Sequence, residues 1–522
     1  MKQIYLKFLA FVVAALMLLS VVSCTTASGS LDGADTTVGN EETTAEETTT
    51  ESPDGETTEN ADLTTETVDE TALSVPDDLK LNDEISVLHW SDTVVDEFEI
   101  EEITGDSLCD EIYWRNQYTA DHLEITFKWS STKGNNSNKS NFVTVVENSY
   151  EAGDRAYDII ASYSRTMGLL SAQGLLADLA AIDNSYLDFD QPYWPSNLVE
   201  NFAIDDSLYF ISGDISTNLR FVMYGIFCND DLRRTLKLES PLDIALAGEW
   251  TLSRFIEMAE GVYVDTDLDG KRSEEDTYGF DVASKLYFEQ YYTAADLDLI
   301  ERDADGALVV SSDYTSQKAF DLVRQLKELL NSPGANNGNG ETGGGTSFRE
   351  ERALFIHERM LYERNYLSSY SFISIMLPCP KYDMEQRDYV TAVSNLFTLW
   401  GVMGDASADD KASATAVLEV LGYYAHKCTS PAIEEILMPP HYHYHEDGIQ
   451  QFRLYEMICS GIRFDLGRVF APELMGGQNM IDLFYQVVWN DNMDVSALTD
   501  AAPTFRRSLG QLVESYRKLK SK

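Results

Sequence analysis

Three short apolar runs near the start of the folded chain set the frame: Glu84 to Trp90 (EISVLHW), His122 to Trp129 (HLEITFKW) and Tyr157 to Tyr163 (YDIIASY). The first two alternate and the third is continuous, so each reads as a strand. Further on the spacing turns helical. Leu252 to Glu260 reads as a helix opened by Thr251 as N-cap, Gln317 to Leu330 as an amphipathic helix, and Ala408 to Ala425 as another. Strands interleaved with helical stretches predict α/β layers with parallel pairing. Ser332 to Ser347 (SPGANNGNGETGGGTS) breaks the pattern and reads as a flexible loop. The formal G-x-G-x-x-G inside it, Gly338 to Gly343, follows no strand and so lacks the context of a dinucleotide site.

The N-terminus has a different character. Lys2 and Lys7 precede an apolar run from Phe8 to Val22, which ends at Val21-Val22-Ser23-Cys24. This is the pattern of a signal peptide over residues 1–23, too short for a comfortable membrane span. The small residue before Cys24 resembles the lipobox of bacterial lipoproteins, which implies a diacylglycerol on Cys24 and a chain held at the extracellular face of the cell membrane. From Thr25 to Pro76 the chain is dominated by Thr, Glu, Asp, Ser and Gly, with no Lys, Arg or aromatic residue. Such a segment cannot bury enough apolar surface to offset its chain entropy, so residues 24–78 read as a disordered stalk. Its mean reach is about 40 Å.

Composition narrows the rest. The 522 residues are 44% hydrophobic, enough for a large core and two lobes. A formal net charge of -50 without a Lys/Arg cluster argues against nucleic acid. Beyond Cys24 the cysteines Cys109, Cys228, Cys379, Cys428 and Cys459 are scattered with no C-x-x-C spacing, which reads as mostly buried free thiols.

Two segments carry metal chemistry. Asp265, Asp267 and Asp269 stand at positions 1, 3 and 5 of a calcium-type loop, with Gly270 at 6, Lys271 offering its carbonyl at 7, Ser273 at 9 and Asp276 at 12. Asp276 replaces the usual bidentate Glu and Arg272 an apolar residue; the alternative is an Asp/Gly-rich surface turn. A bound Ca2+ here pins a loop, since nothing nearby suggests catalysis. In the extended stretch after Pro439 and Pro440, His441, His443 and His445 face one way, as three imidazoles for a transition metal or as a solvated loop.

Enzyme motifs are weak. Ser130-Ser131-Thr132-Lys133 matches S-x-x-K but has no S-D-N or K-T-G partner, there is no G-x-S-x-G, and His357-Glu358 lacks the second histidine of H-E-x-x-H. With 88 Asp and Glu, carboxylate pairs are uninformative. The chain reads as a non-enzyme.

From Tyr157 to Leu179 (YDIIASYSRTMGLLSAQGLLADL) a resemblance emerges, carried further by Asp190-Gln191-Pro192-Tyr193-Trp194, Ser207 to Phe210, Tyr224 to Leu236 (YGIFCNDDLRRTL), Glu249-Trp250-Thr251, Thr277 to Phe280, Ala353 to Met360, Ser374 to Pro380 and Arg463 to Gly467. In this order the pieces resemble the extracellular solute-binding proteins of family 1, the maltose-binding-protein group. The resemblance implies a two-lobed, type II periplasmic-binding-protein-like fold. It divides the chain into lobe 1 (79–220), lobe 2 (221–382), a return to lobe 1 (383–427), and lobe 2 with C-terminal helices (428–522). It further implies capture of a mono- or oligosaccharide in an interlobe cleft and delivery to ABC permease subunits. By position it puts Trp90, Tyr163, Ser164, Arg165, Trp194, Arg220, Met360, Tyr362 and Trp400 at the ligand. The turn after the third strand lacks the Asp-Arg pair of the maltose binder, and Ala353 to Met360 lacks a Gly-Pro-Trp continuation, so the sugar is left open. Competing readings are the same fold with a peptide or polyamine, and a surface sensor or adhesin.

Overall fold

The computed structural model describes residues 72–273, 275–337, 344–367, 370, 372–438 and 448–521. The signal peptide, Cys24, most of the stalk, the formal glycine motif and His441, His443 and His445 lie outside the described residues. From Asp69 onward the chain forms one compact unit. Its packed part begins before the expected Leu79, because Val75 is buried in the core and Ser74 donates a hydrogen bond to Glu419 at 2.5 Å.

Strands β1 (Glu84–Trp90), β2 (Thr126–Thr132) and β3 (Ile159–Tyr163) pair in parallel, with Val87 in register with Trp129 on one side and Ile159 on the other. Each crossover is a helix, Ser107–Leu123 and then Lys139–Ala152. Asp106 caps the first by accepting from the Cys109 N–H, which satisfies one of the orphan donors of the first turn. This helix runs through Leu123 and ends on Glu124 at φ 52, so β2 starts four residues later than its hydrophobic pattern implies.

The second sheet is built from β4 (Tyr224–Asn229), β5 (Tyr263–Val264), β6 (Thr277–Asp281) and three of the next five strands. Of these, β7 (Ile300–Arg302) and β8 (Leu308–Val310) form a separate hairpin, whereas β9 (Ala335–Asn336), β10 (Ala353–Arg359) and β11 (Ser374–Leu377) join the sheet in the order β11-β4-β10-β6-β5, with β9 on β6. All six residues of β4 are buried, as a central strand covered on both faces requires. Short strands β12 (Thr391–Ala392) and β14 (Ile462–Arg463) pair with each other, and β13 (Thr398–Val402) closes the first sheet antiparallel to β3.

These two sheets are the cores of two lobes. The first crossing, at Val222 to Tyr224, runs beside the second, where Ser394 N–H donates to Val222 O at 2.9 Å. That second crossing comes later than the expected residue 383, because Tyr389 still reaches the Ala245 carbonyl and Gln386 the Ala294 carbonyl of lobe 2. The return segment also outlasts residue 427. The helix Ala408–Tyr424, opened by a Ser407/Asp410 capping box, passes through a π-helical turn at Ala425–Thr429 into Ser430–Leu437, which packs on the lobe 1 helix Ser107–Leu123. The C-terminal helix Ser496–Lys520 is not confined to lobe 2 either. Tyr516 shares a 2.8 Å hydrogen bond with Ser171 of lobe 1.

The helices at Leu252–Glu260 and Gln317–Asn331 form where their periodicity places them, and Thr251 caps the first by accepting from the Arg254 N–H. Among the described residues no helix is long and apolar enough to cross a membrane.

Candidate ligand-binding cleft

The parallel strands β1, β3, β6 and β10 run toward the junction of the lobes, and crevices at the carboxyl ends of such strands are where α/β folds bind ligands. A cavity of about 660 Å3 lies there. Lobe 1 gives Asn136, Tyr163 at the end of β3, and Arg165; the crossovers give Tyr224 and Ser394 to Leu396. Lobe 2 gives Tyr287, Glu289, Arg349, Glu358 and Arg359 at the end of β10, Tyr362 and Tyr366, with Asp482 and Tyr485 from the helix Met480–Trp489.

Six tyrosines therefore wall the cavity. Burial holds the Tyr163 phenol up at about 12 and also raises those of Tyr224, Tyr287, Tyr362 and Tyr485. All remain neutral at physiological pH, each offering an aromatic ring and a hydroxyl that both donates and accepts. Tyr362 Oη is buried and makes no hydrogen bond among the described residues. An unmade hydrogen bond of this kind costs about 1–3 kcal/mol until something satisfies it.

The charged residues are mostly tied to one another. Arg165 donates to Asp482 at 3.1 Å and to the Arg468 carbonyl at 3.3 Å. With its amide turned to satisfy both neighbours, Asn395 donates to the same Arg468 carbonyl and accepts from Arg165. Arg468 donates to Glu289 at 2.6 Å, and Tyr224 donates to Glu289 at 2.8 Å. Arg359 donates to Tyr287 Oη at 3.0 Å with its guanidinium 5.4 Å from the Tyr287 ring centroid.

Of the residues expected at the ligand, Tyr163, Arg165 and Tyr362 line this cavity. The others fall elsewhere. Ser164 is fully buried and donates to the Asn395 carbonyl at 2.7 Å, which holds the crossover from beneath. Met360 packs under β4, where a Cβ on Gly225 would come within 2.4 Å of its Cε and 2.9 Å of the Leu377 carbonyl. Trp90 is buried and donates from Nε1 to Thr398 Oγ1 at 2.9 Å, while Trp400 is buried against Phe98. Trp194 and Arg220 border a second cavity, of about 520 Å3, with the Trp194 indole donating to Glu419 and the Arg220 guanidinium paired with Asp214 at 2.8 Å.

Tyr224, Tyr287, Arg349, Arg359, Asp482 and Tyr485 were not foreseen. Two had a readable signal: Tyr224 and Arg359 stand at the start of β4 and the end of β10, in register with each other.

In the acidic loop the carboxylates of Asp265, Asp267 and Asp269 lie within 4.8 Å of one another. Asp276 is turned away from the ligand role expected of it, because it accepts from the backbone N–H of Thr266 at 3.0 Å and Ser273 at 2.9 Å and from Tyr263 Oη at 3.2 Å. The Lys271 ammonium lies 3.5 Å from Asp269.

No family model matches the sequence, and no curated protein matches it. Solved structures do. The galacto-N-biose/lacto-N-biose I-binding protein of the ABC transporter from Bifidobacterium longum, in complex with lacto-N-biose, superposes with a TM-score of 0.54 at 11% identity, covering 82% of this chain and 97% of that one. The cyclic alpha-maltosyl-1,6-maltose binding protein from Arthrobacter globiformis gives 0.53 at 13% identity over 83% and 99%. An ABC substrate-binding protein from Listeria monocytogenes in complex with cycloalternan gives 0.51 at 13% identity over 82% and 99%. With two sheets of mixed pairing joined by crossovers around one cleft, the chain has the two-lobed, type II fold of these periplasmic-type solute-binding proteins.

Proposed function

We propose that this chain is a lipid-anchored extracellular receptor that captures a mono- or oligosaccharide between its lobes and delivers it to an ABC importer, without transforming it. The observation that carries the reading is the interlobe cavity of about 660 Å3 walled by six tyrosines. Sugars present apolar C–H faces and rings of hydroxyls, and a wall of aromatic rings that both donate and accept matches both. The fold's neighbours bind lacto-N-biose, cyclic maltosyl-maltose and cycloalternan by their descriptions, which supports the same class of solute here.

A polyamine or cationic peptide needs uncommitted carboxylates. Two of the three carboxylates on the cavity wall, Glu289 and Asp482, are each held by an arginine, which disfavours this reading. Anchoring through Cys24 is supported by the N-terminal pattern, and handover to permease subunits by the ABC transporter to which the Bifidobacterium longum neighbour belongs.

A thermal-shift screen of the purified chain against saccharides, peptides and polyamines tests the proposal. A solute that binds only the folded state, at about 100 times its dissociation constant, adds about 2.7 kcal/mol of stability. A shift with a saccharide class is the expected result. A shift confined to peptides or polyamines overturns it.

A further inference from the structure

We infer that the captured saccharide is acidic, and that Arg349 and Arg359 on the lobe 2 wall read its oxyanion. This rests on the saccharide reading above and names the class within it.

The chain as a whole has 38 Lys and Arg against 88 Asp and Glu. The cavity wall departs from this balance, for it carries three arginines, Arg165, Arg349 and Arg359, and three carboxylates, Glu289, Glu358 and Asp482. Pairing removes half of them from the count. Arg165 and Asp482 neutralise each other at 3.1 Å, and Glu289 is neutralised from behind by Arg468 at 2.6 Å. Arg349 and Arg359 are left, facing Glu358.

Neither arginine is well matched by that carboxylate. Glu358 Oε2 lies 3.9 Å from Arg359 Nε, outside hydrogen-bond range, and accepts instead from the Arg359 backbone N–H at 2.6 Å. Arg359 Nε is buried and makes no hydrogen bond among the described residues. Arg349 has no carboxylate within ion-pair distance among the described residues; its side-chain bond goes to Thr346 Oγ1 at 3.1 Å. Asp281 behind it accepts from the Phe348 N–H at 2.9 Å and does not line the cavity.

Both guanidiniums are held by aromatic rings, Arg349 at 5.2 Å from the Tyr366 centroid and Arg359 at 5.4 Å from that of Tyr287. A stacked guanidinium loses little freedom on binding and presents its N–H fork to a planar or tetrahedral oxyanion. Two such forks on a cleft wall, within a strongly acidic molecule, select a solute that brings the missing negative charge. The shared chemistry is a sugar carboxylate, phosphate or sulfate.

The test is calorimetric titration of the purified chain with hexuronate di- and trisaccharides, with a hexose phosphate, and with the neutral hexose counterparts. Charge-assisted hydrogen bonds to half-buried arginines make the acidic sugar bind about ten- to hundredfold tighter than its neutral counterpart. Which acidic arm binds tells carboxylate from phosphate. Arg349→Gln and Arg359→Gln each reduce the acidic-to-neutral affinity ratio about tenfold, a readout that a general loosening of the cleft does not move. Equal affinity for both sugars, or binding of neutral sugars alone, overturns the inference and leaves the saccharide reading standing. Binding of neither kind overturns both.

Discussion

Arg165 on the first turn of a lobe 1 helix and Asp482 on a lobe 2 helix meet at 3.1 Å across the cleft. Arg165 was expected to touch the ligand. Its donors instead go to Asp482, the Arg468 carbonyl and Asn395, which ties the lobes together at the cavity edge. In the proposed receptor this pair acts on how readily the lobes close, the step that would bury the solute.

Asp482→Asn, which keeps the shape but not the charge, is expected to weaken solute affinity about tenfold with little change in the melting temperature of the ligand-free chain. Calorimetry paired with a thermal melt checks this. An unchanged affinity would show that the bridge contributes nothing to closure.

The Arg468–Glu289 pair is more deeply placed, with the two side chains 4% and 7% exposed. Removing one partner leaves the other charge buried and alone, which costs about 3–5 kcal/mol. Arg468→Ala is expected to lower the unfolding free energy by that amount in the absence of any solute, in contrast to the mild effect at Asp482. A loss below about 1 kcal/mol would mean that water reaches Glu289.

Stability should also depend on pH through Glu97. Burial raises its carboxyl to about 7, against hydrogen bonds from Thr398 and Asn218 and the nearby Arg115 charge, which lower it. The folded chain thus holds a proton that the unfolded chain releases from about pH 4.5 upward. The contribution is favourable at low pH and is lost as pH rises through about 7, a swing of about 3 kcal/mol. Urea unfolding at pH 5 and pH 8, for the wild type and Glu97→Gln, isolates the group: the variant is expected to lose less stability between the two. Parallel behaviour of the two proteins would refute the assignment.

The acidic loop yields a separate test. If Asp265, Asp267 and Asp269 hold Ca2+, the ion raises the melting temperature and Asp267→Asn removes the rise. Asp276→Asn is expected to destabilise the loop with or without Ca2+, because its carboxylate holds the Thr266 and Ser273 N–H groups. A Ca2+ effect that survives Asp267→Asn would place the ion elsewhere.

Much of the fold was legible because period and capping are local. The first and third strands and the cap at Thr251 could be read within a few residues of chain. Lobe boundaries were less so, since whether residues 383–390 belong to one lobe or the other is decided by distant partners such as Ala245 and Ala294. The cleft was legible only where a residue ends a strand that points into it, as Tyr163 does. Tryptophans were over-read. Trp90 and Trp400 sit in strands of the first sheet and are fully buried, so the large rings serve the core and the cavity is walled by tyrosine. Arg349 and Arg359 carry no local mark that separates them from surface arginines; only the convergence of the helix Thr346–Arg349 with the end of β10 brings them onto one wall.

The central claim, that a saccharide is held between the lobes by the tyrosine wall, is tested most directly by calorimetric titration of the wild type and Tyr287→Ala with the saccharide panel. Tyr287 lines the cavity and braces Arg359. The account predicts one solute bound per chain and an affinity loss of more than about tenfold in the variant. No heat with any saccharide, or binding that Tyr287→Ala leaves intact, would contradict it.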